Sequence, residues 1–165
     1  MRLHNGLLAV GIASLLLVGC GSNAKVVKSL DSNSKSQMIS QKLEVNEIKT
    51  DVKDVPEHFL AAVKGHLKNE LNKRGLLESE GKEANKIDLQ VTYYRMRSGI
   101  TRMMFGMFAG KDGIEADVTI RDAGTGEVLS QLTASSYNLM AVGGSEDIAR
   151  MFAEKTAEEI EKSLN

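Results

Sequence analysis

The sequence predicts an α+β domain: an antiparallel or mixed sheet of four to five strands with two helices packed on one face, in the order β-α-β-β-β-β-α. Apolar residues recur at helical spacing over 56–75 and 145–164, and they alternate with polar residues over 87–95, 114–122 and 128–137. Such half-polar alternation is typical of an antiparallel sheet with one solvated face. The length of 165 residues suits one domain of ordinary size.

The chain begins with the pattern of a signal peptide. Arg2 and His4 precede an apolar run from Gly6 to Val18. A helix over this run reaches about 20 Å, which is short of the roughly 30 Å hydrocarbon core of a bilayer. The run therefore indicates a cleaved signal, residues 1–19, rather than a membrane span.

This signal ends at Leu17-Val18-Gly19-Cys20, which resembles the lipobox of bacterial lipoproteins. In that motif the cysteine thiol accepts a diacylglyceryl group, the small residue admits the signal peptidase, and the aliphatic residue fills a pocket of that enzyme. We therefore expect a covalent lipid such as palmitate on Cys20, and a protein held on the membrane by it. The alternative is a chance cysteine after an ordinary cleavage site.

The residues after the cysteine bear on the location. Gly21 and Ser22 follow it, and no aspartate stands in the position that retains enteric lipoproteins at the inner membrane. The expected location is thus the outer membrane, with the protein facing the periplasm, rather than the inner membrane or the cell surface.

Residues 20–40 are predicted to be the lipidated cysteine and a flexible tether, followed by a single periplasmic α+β domain over 41–165. The segment is rich in Ser, Asn and Lys and holds few large apolar residues. In an alternative interpretation, Lys25, Lys28 and Lys35 contact anionic lipid head groups.

The first half of the domain is predicted as a strand and a helix. Over 42–48 apolar and polar residues alternate until Ile48 breaks the phase. Asp54 is a candidate helix cap, Pro56 suits the first turn, and Gly75 suits a left-handed helix end. The buried stripe of this helix is expected to be Phe59, Val63, Leu67 and Leu71. Leu76 and Leu77 then form a short strand or a contact with the helix end.

The second half is predicted as three strands and a helix. In strand 87–95, we expect Tyr93 to face the core and Tyr94 to face solvent. The hairpin 122–127 supplies glycines where positive φ is needed. Ser145 is the expected cap of the last helix. Its predicted buried stripe is Ile148, Phe152, Thr156, Ile160 and Leu164.

Motifs for catalysis or cofactor binding are few. The net charge of −1 argues against a nucleic-acid binder with a basic surface, and the single cysteine excludes an intramolecular disulfide. His58 and His66 are eight residues apart, which does not suit metal chelation on a helix. We predict no catalytic, cofactor or metal residue, and a non-enzymatic protein. The alternative is a cell-envelope hydrolase acting through Glu115 and Asp117, two acids on one face of a strand.

The segment 98–113 is the most unusual part of the chain, because it is long for a hairpin connection and rich in Met and Gly. It supplies the candidate partner-binding loop, whose apolar residues are Met103, Met104, Phe105, Met107 and Phe108. Three interpretations stay open: extra core under the sheet edge, a tip that docks on a partner or the membrane, and thioether binding of Cu(I).

Taken together, four features resemble the bacterial lipoproteins of domain-of-unknown-function family 4410: the lipobox, the Gly75-Leu76 helix exit, the glycine-rich segment Gly99 to Gly113, and the Asp122…Thr125-Gly126-Glu127 hairpin. The resemblance spans Leu43 to Leu164 and implies a folded envelope domain without an assigned activity. We expect an uncharacterised membrane-anchored module that binds an envelope protein or forms a homo-oligomer. The alternatives are the hydrolase and a small-ligand or metal carrier.

Overall fold

A computed structural model describes residues 21–40, 42–77, 83–97, 110–138 and 144–164. Five strands form one mixed sheet in the order β1-β5-β4-β3-β2. The β2–β3 pair is parallel and the other three pairs are antiparallel. The predicted α+β class and mixed sheet are confirmed, but the observed order over these ranges is β-α-β-α-β-β-β-α, with three helices where two were predicted and with the fifth strand at Gly21–Lys28. The elements are β1 (Gly21–Lys28), α1 (Ser32–Ser40), β2 (Leu43–Thr50), α2 (Glu57–Lys73), β3 (Asn85–Arg95), β4 (Asp112–Arg121), β5 (Val128–Asn138) and α3 (Ser145–Leu164).

The core lies between one face of the sheet and the helices α2 and α3. Both predicted helix stripes are buried, from Phe59 to Leu71 in α2 and from Ile148 to Ile160 in α3, with Leu164 partly buried. Alternate residues of β3, β4 and β5 join the same cluster, and each sheet position between them points to the opposite face. That opposite face is polar and is called here the open face.

The flexible tether predicted for residues 21–40 is wrong. Gly21–Lys28 form β1, which pairs antiparallel with β5, and Ser32–Ser40 form α1. Ala24 packs against the core and Leu30 is buried. Composition does not predict this strand, because its residues are small or polar and its pairing depends on backbone groups that every residue carries. Residues 21–40 therefore contribute a strand and a helix to the fold, which the predicted domain boundary at residue 41 had excluded.

A β-bulge reverses the predicted orientation of the two tyrosines of β3. The register with β4 shifts between Val91 and Tyr93, so Tyr93 lies opposite Glu115 and Tyr94 opposite the buried Ile114. Tyr94 consequently packs on Phe59 in the core, with ring centroids 4.9 Å apart, and Tyr93 lies on the open face. One extra residue in a strand exchanges its two faces. A second bulge, in β2 between Val45 and Ile48, explains the phase break seen in the sequence.

The ends of the helices agree with the sequence in part. Gly75 has φ +66°, and the bonds Gly75 N–H to Asn72 and Leu76 N–H to Leu71 make a Schellman motif, as Gly75 predicted. Leu77 makes a single parallel bridge to Leu43.

Two predicted helix caps are not caps. Pro56 occupies the cap position of α2 without a side-chain hydrogen bond, and Asp54 is a turn residue with φ +61°. Ser145 is the first residue of α3, and the N–H of the preceding Gly144 donates to Asp147 at 3.0 Å. The carboxylate of Asp147, in the first turn, thus caps the N-terminus of α3 in place of the Ser145 hydroxyl.

The β4–β5 hairpin is organised by Asp122. Its Oδ1 accepts hydrogen bonds from the N–H of Gly124 at 3.0 Å, the N–H of Thr125 at 2.7 Å and the hydroxyl of Thr125 at 2.9 Å. Gly126 takes the positive φ of +72° that the turn requires. The bonds from Thr125 hold the pKa of Asp122 below its usual value of 3.8.

A carboxylate with a lowered pKa gives a pH-dependent stability. We expect the contribution of Asp122 to be complete above pH 3.8 and to be lost as the pH falls through its lower folded-state pKa. The difference in urea midpoint between the natural protein and Asp122→Asn should therefore narrow on acidification. The control Glu127→Gln alters an exposed residue of the same turn. A difference for Asp122→Asn that stays constant down to pH 2 would contradict the role given to this carboxylate.

Candidate functional site

The lipobox residues and the candidate partner-binding loop lie outside the described part of the chain, but their neighbours are described. The signal residues Leu17, Val18 and Gly19 and the lipidation candidate Cys20 end where β1 begins, at Gly21. The candidate loop, residues 103–108, lies in the chain between Arg97, two residues after β3, and Gly110, two residues before β4. The positions of these neighbours show which end of the sheet both segments share.

Strand register brings the two segments to one end of the sheet. Gly21 of β1 lies opposite Tyr137 of β5, Tyr137 lies opposite Gly113 of β4, and Gly113 lies opposite Arg95 of β3. These four residues form one line across the strands, called here the cross-strand row. Cys20 and the segment 98–109 are therefore both attached at this end.

Tyr137 is the central side chain of the row. A Cβ on Gly113 would lie 2.6 Å from the carbonyl oxygen of Ser136 and would collide with the Tyr137 ring. Only glycine allows the ring to lie over the backbone of β4 in this way. On the ring, Lys111 places its Nζ 3.3 Å from the centroid, and Tyr93 packs at a centroid distance of 6.2 Å. Gly113 thus sets the position of an aromatic and cationic cluster.

A buried ion pair closes the base of the candidate loop. The Arg97 N–H and Nε–H each donate to Asp112 Oδ1 at 2.9 Å. The Arg97 side chain is 3% exposed and the Asp112 side chain is 1% exposed. Arg97 follows β3 and Asp112 begins β4, so this pair joins the two residues between which the chain leaves the sheet and returns. A charge pair removed from water in this way is costly to break from one side.

The two acids of the hydrolase alternative lie on the open face of β4, as predicted. Asp117 accepts a hydrogen bond from the Thr133 hydroxyl at 2.9 Å. It lines a depression of about 210 Å³ with Asp88 and Arg121, whereas Glu115 lines another of about 590 Å³ with Lys25 and Ser135. The two carboxylates thus line separate depressions.

Neighbouring strands pair opposite charges on the same open face. Lys86 Nζ lies 2.5 Å from Glu44 and Arg121 Nε lies 3.3 Å from Asp88. Such exposed pairs stabilise the sheet by up to about 1 kcal/mol each. The charges of this part of the face therefore have cross-strand structural roles.

The two histidines of α2 differ in environment. His58 is exposed, whereas His66 is 2.6 Å from Glu146 and links α2 to the start of α3. Across the described ranges, no three His, Cys, Asp or Glu side chains are placed to hold a metal ion. Among the helices of those ranges, none has the length and apolar character to cross a bilayer.

Sequence reasoning missed the features that organise this end of the sheet. The Arg97–Asp112 pair spans 15 positions, and Lys111 and Tyr137 are 26 positions apart. The usable signal is Gly113, a glycine directly before a strand of alternating residues, since such a glycine marks the close approach of a ring or a backbone.

The family model described as Domain of unknown function (DUF4410) matches residues 22–144. The match begins within β1, which the predicted range Leu43 to Leu164 left out, and it ends before α3, which that range included. No curated protein matches the sequence of this chain.

Two similar solved structures have the same fold. The PelC dodecamer from Paraburkholderia phytofirmans has a TM-score of 0.58 at 11% identity, covering 87% of this chain and 97% of that one. The PelC L103M dodecamer from the same organism has a TM-score of 0.55 at 13% identity, covering 88% and 96%. A minor lipoprotein from Acinetobacter baumannii reaches a TM-score of 0.35 at 16% identity, covering 76% and 93%.

The buried ion pair can be tested from one side. Asp112→Asn keeps the shape of the side chain but leaves the Arg97 charge buried without its carboxylate, and we expect a loss of about 3–5 kcal/mol in the free energy of unfolding. Urea unfolding followed by circular dichroism measures it. The matched control is Asp117→Asn, an exposed acid of the same strand, with an expected change of about 0.5 kcal/mol or less. Equal small losses in both variants would refute the role of the pair.

Proposed function

This chain belongs to the DUF4410 family, and on that basis we propose that it is a lipid-anchored envelope lipoprotein that assembles with copies of itself and has no catalytic activity of its own. The observation that carries the proposal is the position of the lipobox cysteine directly before a folded sheet. Cys20 is followed at once by Gly21, the first residue of β1.

The anchor follows from the sequence around Cys20. The motif Leu17-Val18-Gly19-Cys20 directs acylation of the thiol, with palmitate or a similar chain, and removal of residues 1–19. Each buried methylene stabilises membrane binding by about 0.8 kcal/mol, so several acyl chains hold the protein durably. The outer membrane, with the domain in the periplasm, is the location that we propose from Gly21 and Ser22.

Self-assembly is proposed from the exposed edge of the sheet and from the similar fold of the PelC dodecamer. Val27 is 68% exposed, which singles it out among the large hydrophobic side chains of the described residues. It borders the depression of about 590 Å³ that Lys25 and Glu115 also line. An apolar knob beside a concave surface with both charge signs suits a contact between copies of one chain.

The edge of β1 does not favour a further strand. The register shifts at Val27, between Val26 and Lys28, and Lys25 and Lys28 add charge along the edge. Bulges and lysines discourage strand-to-strand pairing. The proposed contact is therefore made by side chains, with Val27 at its centre.

Lipidation can be tested by mass spectrometry of the membrane-extracted protein. The natural protein should begin at Cys20 and carry the added mass of its acyl chains. Cys20→Ser should retain residues 1–19 without added mass. The matched control, Cys20→Ser with Ser22→Cys, restores a cysteine two positions out of the motif and should remain unlipidated as well. A natural protein without acyl mass would refute the anchor.

Assembly can be tested on the same lipidated protein by light scattering and native mass spectrometry in mild detergent. We expect an oligomer, and we expect Val27→Lys to shift it towards monomers because the substitution places a charge at the centre of the contact. Glu154→Lys, which also introduces a lysine but on the exposed face of α3, serves as the control and should leave the oligomer intact. A monomeric natural protein would refute self-assembly, and an oligomeric Val27→Lys variant would refute this contact.

A further inference from the structure

We propose that the cross-strand row, together with Tyr93 and Lys111, is a surface that docks on the phospholipid head groups of the membrane that holds Cys20. This inference rests on the lipid anchor proposed above and adds an orientation to it: this end of the sheet, rather than an arbitrary side of the domain, faces the bilayer. Four observations support it.

Reach is the first. Consecutive Cα atoms are about 3.8 Å apart, so Gly21 lies within one residue of a lipidated Cys20. Because Gly21 already belongs to β1, no spacer separates the sheet from the anchor. The row extends from Gly21 across three strand spacings of about 4.8 Å each, or about 14 Å in all. An anchor at Gly21 thus brings the whole row close to the head groups.

The chemistry of the side chains is the second. Tyr93 and Tyr137 are half-buried, so each presents part of an amphipathic ring on the open face. Arg95 and Lys111 are exposed. Tyrosine is enriched at the interface between bilayer and water, and cations near it are attracted to lipid phosphates. Asp112, which lies between Lys111 and Gly113, is buried and paired with Arg97.

The third observation is that contacts within the cluster fix the positions of its side chains. The Tyr137 ring lies over Gly113, Tyr93 packs beside it and Lys111 sits on its face. These contacts hold the rings and the cation in one arrangement before any ligand arrives, which lowers the entropy lost on docking.

The contrast with the far end of the sheet is the fourth. From Gly113 to Arg121, β4 runs eight residues, or about 27 Å, towards the hairpin. That hairpin presents the exposed Glu127 and has no aromatic residue, since Asp122 is buried in the turn. All three tyrosines of the chain, Tyr93, Tyr94 and Tyr137, belong to the two strand ends nearest the anchor.

The absence of tryptophan from the sequence allows a direct test. Two single-tryptophan variants, Tyr137→Trp and Glu127→Trp, are prepared as full lipidated proteins in nanodiscs of phosphatidylglycerol and phosphatidylcholine. Part of the phosphatidylcholine carries a nitroxide on its head group, which quenches nearby tryptophan emission. We expect loss of most of the emission for Tyr137→Trp and unchanged emission for Glu127→Trp. Adding Lys111→Glu to Tyr137→Trp should reduce the quenching, because the carboxylate repels lipid phosphate.

The outcomes separate the two proposals, since the acylation of Cys20 is read from the same samples by mass spectrometry. Acylated protein with equal quenching at positions 127 and 137, or with none at 137, overturns the docking surface and leaves the lipoprotein assignment standing. Protein without acyl chains overturns the anchor and the docking surface together. The emission of Tyr137→Trp could instead change with protein concentration and not with the amount of nitroxide lipid. That result would show that a second copy covers the row, and it overturns the proposal too.

Discussion

The register of β4 between β3 and β5 is the constraint on which the rest of the structure depends. It places Ile114, Ala116, Val118 and Ile120 under the helices, and a shift by one residue would turn all four towards solvent. The same register sets Gly113 beneath Tyr137 and Asp112 beside Arg97. The hydrophobic core, the aromatic cluster and the base of the long loop are thus consequences of one alignment, which buried apolar side chains on β4 enforce.

Much of this fold could be predicted from the sequence where burial leaves a periodic signal. The stripes of α2 and α3 and the alternation of β4 are such signals, and the structure confirms them. Tyr93 and Tyr94 show why periodicity fails locally, because a bulge changes the phase of a strand without changing its composition. Gly21–Lys28 shows the second reason. This edge strand of mostly small and polar residues is stabilised by backbone pairing with β5, so its side chains show no clear strand pattern.

The candidate site was predictable only at its two attachment points. Cys20 is recognisable because the lipobox that its surroundings resemble is a local motif, and the loop is conspicuous because its composition is unusual. The contacts that surround them join residues far apart in the chain, so no local pattern encodes them. The ion pair of Arg97 and Asp112 illustrates this: each residue alone resembles any surface charge, and only the closure of β3 on β4 removes both from water. Removing one partner of such a pair is costly, because it leaves the other charge buried without its counter-ion.

The start of β1 one residue after the proposed anchor also has a mechanical consequence. If Cys20 carries the proposed lipid, a force on that lipid enters the domain at Gly21, in the strand that is paired with β5 over seven residue positions from Gly21 to Lys28. A force along the strand would load these pairings together in shear, whereas a force across the strand would open them one after another. The pairing of β1 with β5 would then set the force that the attachment of the domain withstands.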